Sequence, residues 1–513
     1  MTWGNTFISS LDTPSKTIEY FLRFVGHSND YFLGVGNTIS SSGLISIGNA
    51  EVVIDNATVT PQRWSVNFGG FSIRIVGDLR PIKTSAFRKG AIAELYMRRN
   101  RTQPERVAIG QLRSLRGGRG VWDLDFGDFV SALTTRLSTK ATELNFYYNA
   151  GQQTTVTHNF NFSSDPKLYL DDITLFEKDS NEDGLVFIDD ITHGVTNYWR
   201  WSSKTTTTAP AGYLTISAVG AWPSTSGHNT IHTGEKVTVL TRLAGRPDYV
   251  FARTIMSTGN ATQGTFDDFP QSWGAGLNFN TNLINKIDMD LWRGVWNTAT
   301  GSHDVDLVYD APQSSGIRSL MGNFLEMGMW PVFRQGRISW RVCQDPNNAN
   351  TQTVAAHIRD RNIIEIESHS IFSESQSVVY GKSTIITSSA VGNEVKTSIN
   401  VTNTQALPAN DEYSRNNKYI YRIDNPAQSS KASVDLGRMA NWDLYTWEEV
   451  VLAVQEQFAG LVAGDIVAIT SDFLYGYNET TGKSYLGRRG MILGNRWLPS
   501  QSRCILTIGV LSS

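Results

Sequence analysis

Cysteine is almost missing: only Cys343 and Cys504 occur in 513 residues. They stand far apart and outside any metal-ligand spacing, which excludes a disulfide framework and a cysteine-built zinc site. Both are expected in strands as small apolar residues. An excess of one charge is missing too, since the net charge is −3 and charged residues make up 18% of the chain, below the ordinary ~25%. A nucleic-acid binder draws its affinity from a positive excess that displaces counterions, so sequence-specific DNA binding is not expected. There is no apolar run of about 18 residues, and the opening stretch 1–16 lacks a basic segment followed by an apolar one. The protein is therefore expected to be made in the cytosol and to remain soluble, with no direct membrane insertion. The eight histidines form no H-E-x-x-H pattern, and no serine sits in G-x-S-x-G. Gly117, Gly118 and Gly120 flank Arg119 without the Lys and Ser/Thr of a phosphate loop, so this stretch reads as a turn.

What is present is a neutral, turn-rich chain with 44 Gly, long enough for three or four folded units. Apolar and polar residues alternate in short runs from residue 17 to 110, as in Ile18, Tyr20, Leu22 and Phe24 or Phe71, Ile73 and Ile75, which is the period of a half-buried strand. After Asp128, a candidate N-cap, Phe129, Val130, Leu133 and Leu137 fall on one helical face and predict a short helix. Strands resume from about 154 to 256, broken by the Thr-rich tract Ser202 to Pro210, which reads as a loop or exposed edge without a core. Ile317, Leu320, Met321, Phe324 and Leu325 follow the spacing of an amphipathic helix that should stop near Gly328 and Pro331. A hairpin turning at Gln335–Gly336 should follow, with Ile338, Trp340 and Val342 on its apolar face. The last 150 residues alternate again at 384–387, 418–423, 465–470, 490–493 and 504–510, the pattern of a closed or nearly closed barrel. Residues 445–458 fit either a helix or a strand. The division read from these signals is an N-terminal tube-like barrel at 1–150, a β-rich unit at 151–245, an α+β unit at 246–345 and a C-terminal barrel at 346–513.

One stretch has the spacing of a calcium loop: Asp179, Asn181 and Asp183 at positions 1, 3 and 5, Gly184 at 6 and Asp190 at 12. Against it stand Asp in place of the bidentate Glu at position 12 and flanks that read as strands. The competing reading is a polar hairpin turn, and a calcium ion held there would be structural. The carboxylate pairs Asp267–Asp268 and Glu365–Glu367 have the residue type for glycoside cleavage, but turn formation explains the first pair and the wet face of a strand the second. No residue is proposed as catalytic. The basic cluster Arg98, Arg99, Arg101, Arg113, Arg116 and Arg119 admits a solvated face, a DNA conduit wall or contact with an acidic neighbouring subunit, of which the last is preferred.

Three passages resemble the hub proteins at the tail tip or baseplate of long-tailed bacteriophages. The first runs from Arg246 to Asn260 and on through Gly264, Asp267, Pro270 and Trp273 to Gly276. The second is the helix and hairpin ending in Gly336-Arg-Ile-Ser-Trp340. The third is Leu461-Val-Ala-Gly-Asp465-Ile-Val-Ala-Ile-Thr470 with the later strand Arg489 to Asn495, although Ala463 stands where the family usually has proline. Together they cover about a third of the chain, and residues 1–235 resemble the family in strand pattern alone. The resemblance implies a mainly β chain of several barrel- or sandwich-like domains with a small α+β insertion, assembling as a trimeric pseudo-sixfold ring. It also implies a place at the distal end of the tail in the virion, after synthesis in the host cytoplasm. The partners it implies are a tail tube or distal tail protein, the tape measure protein and fibres or a spike, with DNA only passing through. No cofactor is implied. Bare sheet edges paired between copies fit such an assembly, and the 11% aromatic residues would supply interface anchors or ordinary core. The alternative, suggested by the many Trp and Tyr and the acidic pairs, is a carbohydrate-binding or glycan-hydrolysing β protein.

Overall fold

Strand periodicity dominates the computed structural model. It describes residues 3–12, 17–24, 30–33, 44–61, 65–77, 79, 90–100, 102–128, 151–176, 178, 183–190, 195–218, 230–245, 288, 292, 305–309, 325, 328–347, 353–372, 378–386, 398–399, 412–420, 442, 447–476 and 484–511. The first strands are β1 (Ile18–Phe24), β2 (Asp30–Leu33), β3 (Leu44–Asp55), the short pair β4 (Thr58–Thr60) and β5 (Ser65–Asn67), β6 (Gly70–Gly77), β7 (Ile92–Arg99), β8 (Glu105–Gly118) and β9 (Val121–Asp128). The sheet order β2-β1-β7-β8-β9-β6-β3 returns to its start, because β3 also pairs with β2, in parallel. Seven strands thus close into a barrel, which removes sheet edges. The alternating residues do what their period demands: Tyr20, Leu22, Phe24, Ile73 and Ile75 are buried, and Phe71 stacks on Phe126 with ring centroids 4.3 Å apart. A short helix, α1 (Asn5–Leu11), buries Phe7 and Leu11 against this core, and the Trp3 indole beside it donates to the Arg106 carbonyl at 2.9 Å.

A second ring follows from β10 (Gln153–Thr155), β11 (Phe160–Asn161), β12 (Lys167–Leu170), β13 (Gly184–Asp190), β14 (Val195–Thr208), β15 (Ala211–Ala218), β16 (Thr230–Ile231) and β17 (Lys236–Gly245). Its order is β10-β17-β13-β14-β15-β12, and a bridge between Val156 and Leu170 joins the two ends. Phe160, Trp199 and Trp201 fill it, with Leu168 and Val239 among their neighbours. The strand β18 (Val305–Tyr309) pairs with β17 outside the ring. The Thr-rich tract forms the outer half of β14, paired with β15 and exposed throughout. It carries no core, as expected, but it is a hydrogen-bonded strand and not a loop.

The remaining strands are β19 (Met329–Arg334), β20 (Arg337–Val342), β21 (Ala356–Arg359), β22 (Ile363–Phe372), β23 (Val378–Ile386), β24 (Ser398–Ile399), β25 (Glu412–Ile420), β26 (Trp447–Gln455), β27 (Ile466–Tyr475), β28 (Ser484–Leu498) and β29 (Arg503–Leu511). Six of them run in the order β22-β26-β29-β28-β27-β21, so the two ends of the sheet are consecutive in the chain, separated by the single 3-10 turn Asp360–Asn362. Strand β28 also pairs with β3 over Arg496–Asp55 and Trp497–Ile54, which merges this sheet with the first barrel into one 13-stranded sheet. Strands β23, β24 and β25 form a separate sheet.

The hairpin β19–β20 turns where its sequence places it. Gln335 and Gly336 have φ of 50° and 77°, the paired left-handed geometry that two-residue hairpin loops favour. A Cβ on Gly336 would also lie 2.2 Å from the Arg106 carbonyl oxygen, so the turn tip is pressed against the first barrel. The segment that fitted helix or strand is strand β26 followed by a 3-10 turn, with Val450, Leu452 and Val454 buried. Asp128, the candidate N-cap of the expected helix, is the last residue of β9 and pairs with Gly110, as the extended backbone of an N-cap allows. Residues 129–137 lie outside the described residues, as does the helix at 317–325 except for Leu325, which is helical. Cys504 lies in β29 and Cys343 one residue past β20, both buried.

Candidate functional site

The apolar face of β20 is Ile338, Trp340 and Val342, yet Ser339 and Arg341 on the opposite face are fully buried as well. Both faces of this hairpin are therefore covered, and the polar one must be satisfied by partners. Arg341 donates through Nε to Asp465 at 2.9 Å and through Nη1 to Asp288 at 2.7 Å. Arg334 donates to Asp288 at 2.6 Å, the Ser339 hydroxyl donates to the same carboxylate, and the Arg341 guanidinium lies 4.3 Å from the centroid of the Trp292 ring. Two arginines and two aspartates thus compensate each other out of water, the condition under which buried charges are tolerated.

Asp465 comes from the Gly464–Asp465 pair ahead of β27, and its second oxygen accepts from the Val462 amide at 3.0 Å. Gly464 has φ of 101°, and a Cβ there would lie 2.8 Å from Cβ of Arg341. The Trp330 indole donates to the Ala463 carbonyl at 3.1 Å, so the usual-proline position carries a carbonyl that anchors β19. Two passages more than a hundred residues apart in sequence, the hairpin and the Gly-Asp strand, are in this way one packed unit.

Two further buried pairs bind that unit to the first barrel. Arg106 of β8 donates to the Gly336 carbonyl at 2.8 Å and to Glu94 of β7 at 2.7 Å. Arg99 at the end of β7 is fully buried and paired with Glu456, whose Oε1 also accepts from the Trp497 indole at 2.8 Å. Cys504 sits in the same surroundings, where burial in the first place, and Glu456 in the second, push its thiol well above the ordinary value.

Burial by itself would raise the Asp288 carboxyl, but Arg341 and Arg334, with the hydrogen bonds from Arg341 and Ser339, outweigh it and hold the group below the usual carboxylate range. A depressed folded pKa contributes stability that is full above the unfolded value of about 4 and is lost as pH falls through the folded value. Thermal melting followed from pH 7 to pH 3 should therefore drop steeply below about pH 4. Asp288→Asn should start lower at pH 7 and show a shallower decline, while an unchanged slope would remove Asp288 from the acid response.

The candidate calcium ligands are not assembled by the described residues. Asp183 precedes β13 and accepts from the Ser217 hydroxyl at 2.5 Å, while Asp190 ends the same extended strand, roughly 20 Å away at ~3.3 Å per residue. Asp179 and Asn181 lie outside the described residues, as do Arg101, the Asp267–Asp268 pair and the whole first hub-like passage, 246–276. Glu365 and Glu367 stand on the exposed face of β22. Within the basic cluster, Arg98 pairs with Glu19 at 2.5 Å and Arg99 with Glu456, so both serve contacts inside the chain, whereas Arg113, Arg116 and Arg119 are exposed on the β8–β9 hairpin.

No family model matches the chain, and no curated protein matches it. Among solved structures it is similar to a tail protein from Neisseria meningitidis, at 11% identity over 97% of this chain and 96% of that one, with a TM-score of 0.35. It is similar to the 43 kDa tail protein of a prophage from Shewanella oneidensis at 9% identity, over 96% and 98% of the two chains, with a TM-score of 0.37. A prophage tail protein from Listeria monocytogenes shares 9% identity over 96% of this chain and 94% of its own, with a TM-score of 0.36. All three are tail proteins.

Among the described residues of the C-terminal sheet, the most exposed large apolar side chains stand on the β27–β28 arm. Phe473 and Tyr475 at the end of β27 are 71% and 57% exposed, and Leu486 near the start of β28 is 86% exposed. These two strand ends form one antiparallel arm, in register at Ser471–Tyr485 and Tyr475–Ser484. Ile364 and Ile371, also exposed, lie on β22 at the end of the sheet path.

Proposed function

We propose that this chain is a structural hub subunit of a phage tail tip, three copies of which form a ring between the sixfold tail tube and a threefold tip. The observation that carries this reading is the presence of two closed β-barrels in one chain, of seven and six strands. Three copies would present six barrels around an axis, which is the number a sixfold tube requires, while retaining a threefold face for fibres or a spike. The buried ion pairs support the same reading, because they fix the hairpin, the Gly-Asp strand and the first barrel as one rigid body able to transmit load. In this role the ring anchors the tape measure protein, and host contact opens it for DNA passage. No side chain is assigned a catalytic part.

Phe473, Tyr475 and Leu486 are the residues proposed to meet the neighbouring copy, since isolated large apolar residues are common on surfaces but a cluster on one arm marks an interaction site. Light scattering coupled to size exclusion should give a mass three times that of the monomer, and negative-stain images should show three-membered rings. Phe473→Ser with Leu486→Ser should weaken assembly by about 3 kcal/mol or more, roughly a hundredfold, and leave monomer melting within a degree or two. A monomer at every concentration tested, or a trimer indifferent to both substitutions, would contradict the assignment.

A further inference from the structure

Among the described residues, the first barrel and the C-terminal sheet share only two register pairs, Arg496–Asp55 and Trp497–Ile54. Beside this short seam opens a cleft of about 530 Å³, within the size range of small-molecule sites. We infer that this cleft binds a neutral oligosaccharide.

The charges that line it are Asp55 of β3, Asp125 of β9 and Glu367 of β22 on one side of the balance, with Arg113 of β8 and Arg496 of β28 on the other. All five are exposed, and they leave a single net negative charge. That balance disfavours phosphate, sulfate or nucleic acid, which call for a positive excess. Among the described residues there is also no group of three or more His, Cys, Asp or Glu placed to hold a metal ion, so the carboxylates are spread too widely for a cation cage. What the lining offers is acceptors and planar donors side by side. Each sugar hydroxyl both donates and accepts, so a carboxylate can take two vicinal hydroxyls while a guanidinium fork donates to others.

The backbone shapes the site to match. Asp55, Gly70 and Gly127 are opposite one another across β3, β6 and β9, so two adjacent strands carry no side chain at this level. A Cβ on Gly127 would lie 2.2 Å from Nε of Arg113, which means that the guanidinium rests directly on that glycine and is held flat at the cleft wall. Gly69, Gly70 and the half-buried Phe68 line the same cleft and offer low, apolar surface to the C–H face of a sugar ring. The charges sense one another across it: burial first, and then Asp125, push the Asp55 carboxyl above its ordinary value against the pull of Arg496, 3.4 Å away. This inference goes beyond the hub assignment and does not require the chain to sit in a tail.

The test is to apply the labelled full chain to an array of neutral and acidic bacterial oligosaccharides and to titrate the strongest neutral ligand by calorimetry. Binding to a neutral class is expected, at least tenfold weaker in Asp125→Asn and in Arg113→Gln and unchanged in Lys167→Gln, which lies on the other barrel. If Arg113→Gln does not fold, Glu367→Gln takes its place beside Asp125→Asn. Absence of binding across the array, binding confined to acidic glycans and displaced by inorganic phosphate, or binding that survives the cleft substitutions would each overturn the inference.

Discussion

Replacing Arg341 by alanine should lower stability by about 3–5 kcal/mol, the typical consequence of leaving a buried ionic partner uncompensated. The side chain is fully buried and stands between Asp288 and Asp465, so its loss brings two carboxylates together out of water with Arg334 alone to offset them. Denaturant unfolding followed by tryptophan fluorescence should show an early transition, because Trp330 and Trp292 lie against the same network. Arg341→Lys should rescue little, since one ammonium cannot reproduce a fork that reaches two carboxylates at once. Adding Asp288→Asn and Asp465→Asn to Arg341→Ala should recover part of the loss by removing the stranded charges. A single substitution that leaves the transition in place would show that the network is solvated and carries no load.

Much of the β architecture was legible in the chain because strand burial has a period of two. The runs at 18–24 and 71–75 and the hairpin at 335–336 need only local information: alternation, and a glycine with positive φ. Closure of the barrels was not legible residue by residue. The parallel pairing of β2 with β3 and the bridge between Val156 and Leu170 are long-range contacts between strands whose own alternation is ordinary. The merging of the C-terminal sheet with the first barrel rests on two residue pairs and leaves no pattern at all. The buried network was partly in view, since Gly464–Asp465 and Arg337–Val342 fall in the passages that resemble phage hubs. A strand reading nevertheless assigns Ser339 and Arg341 to water, because alternation cannot announce that a second layer covers the polar face. The basic cluster misled for the same reason: Arg98 and Arg99 look like a solvated or intermolecular patch until Glu19 and Glu456 arrive from elsewhere in the chain.

Glu456→Ala should cost a similar 3–5 kcal/mol, and its effect should localise to the seam between the first barrel and the C-terminal sheet. The substitution strips the buried Arg99 of its carboxylate and removes the acceptor of the Trp497 indole. Arg99 belongs to β7 and Trp497 to β28, the strand that pairs with β3, so one lost side chain loosens both halves of the joint. Cys504 provides the readout, since it is fully buried beside the pair and should be inert toward thiol reagents in the native state. In a Cys343→Ser background, labelling of Cys504 should accelerate at least tenfold in Glu456→Ala. The double replacement Arg99→Met with Glu456→Leu should recover part of that acceleration, because apolar residues of similar volume avoid the desolvation that the ion pair must offset, while the Trp497 indole still lacks its acceptor. Equal labelling of Cys504 with and without Glu456 would mean that apolar packing alone closes this seam.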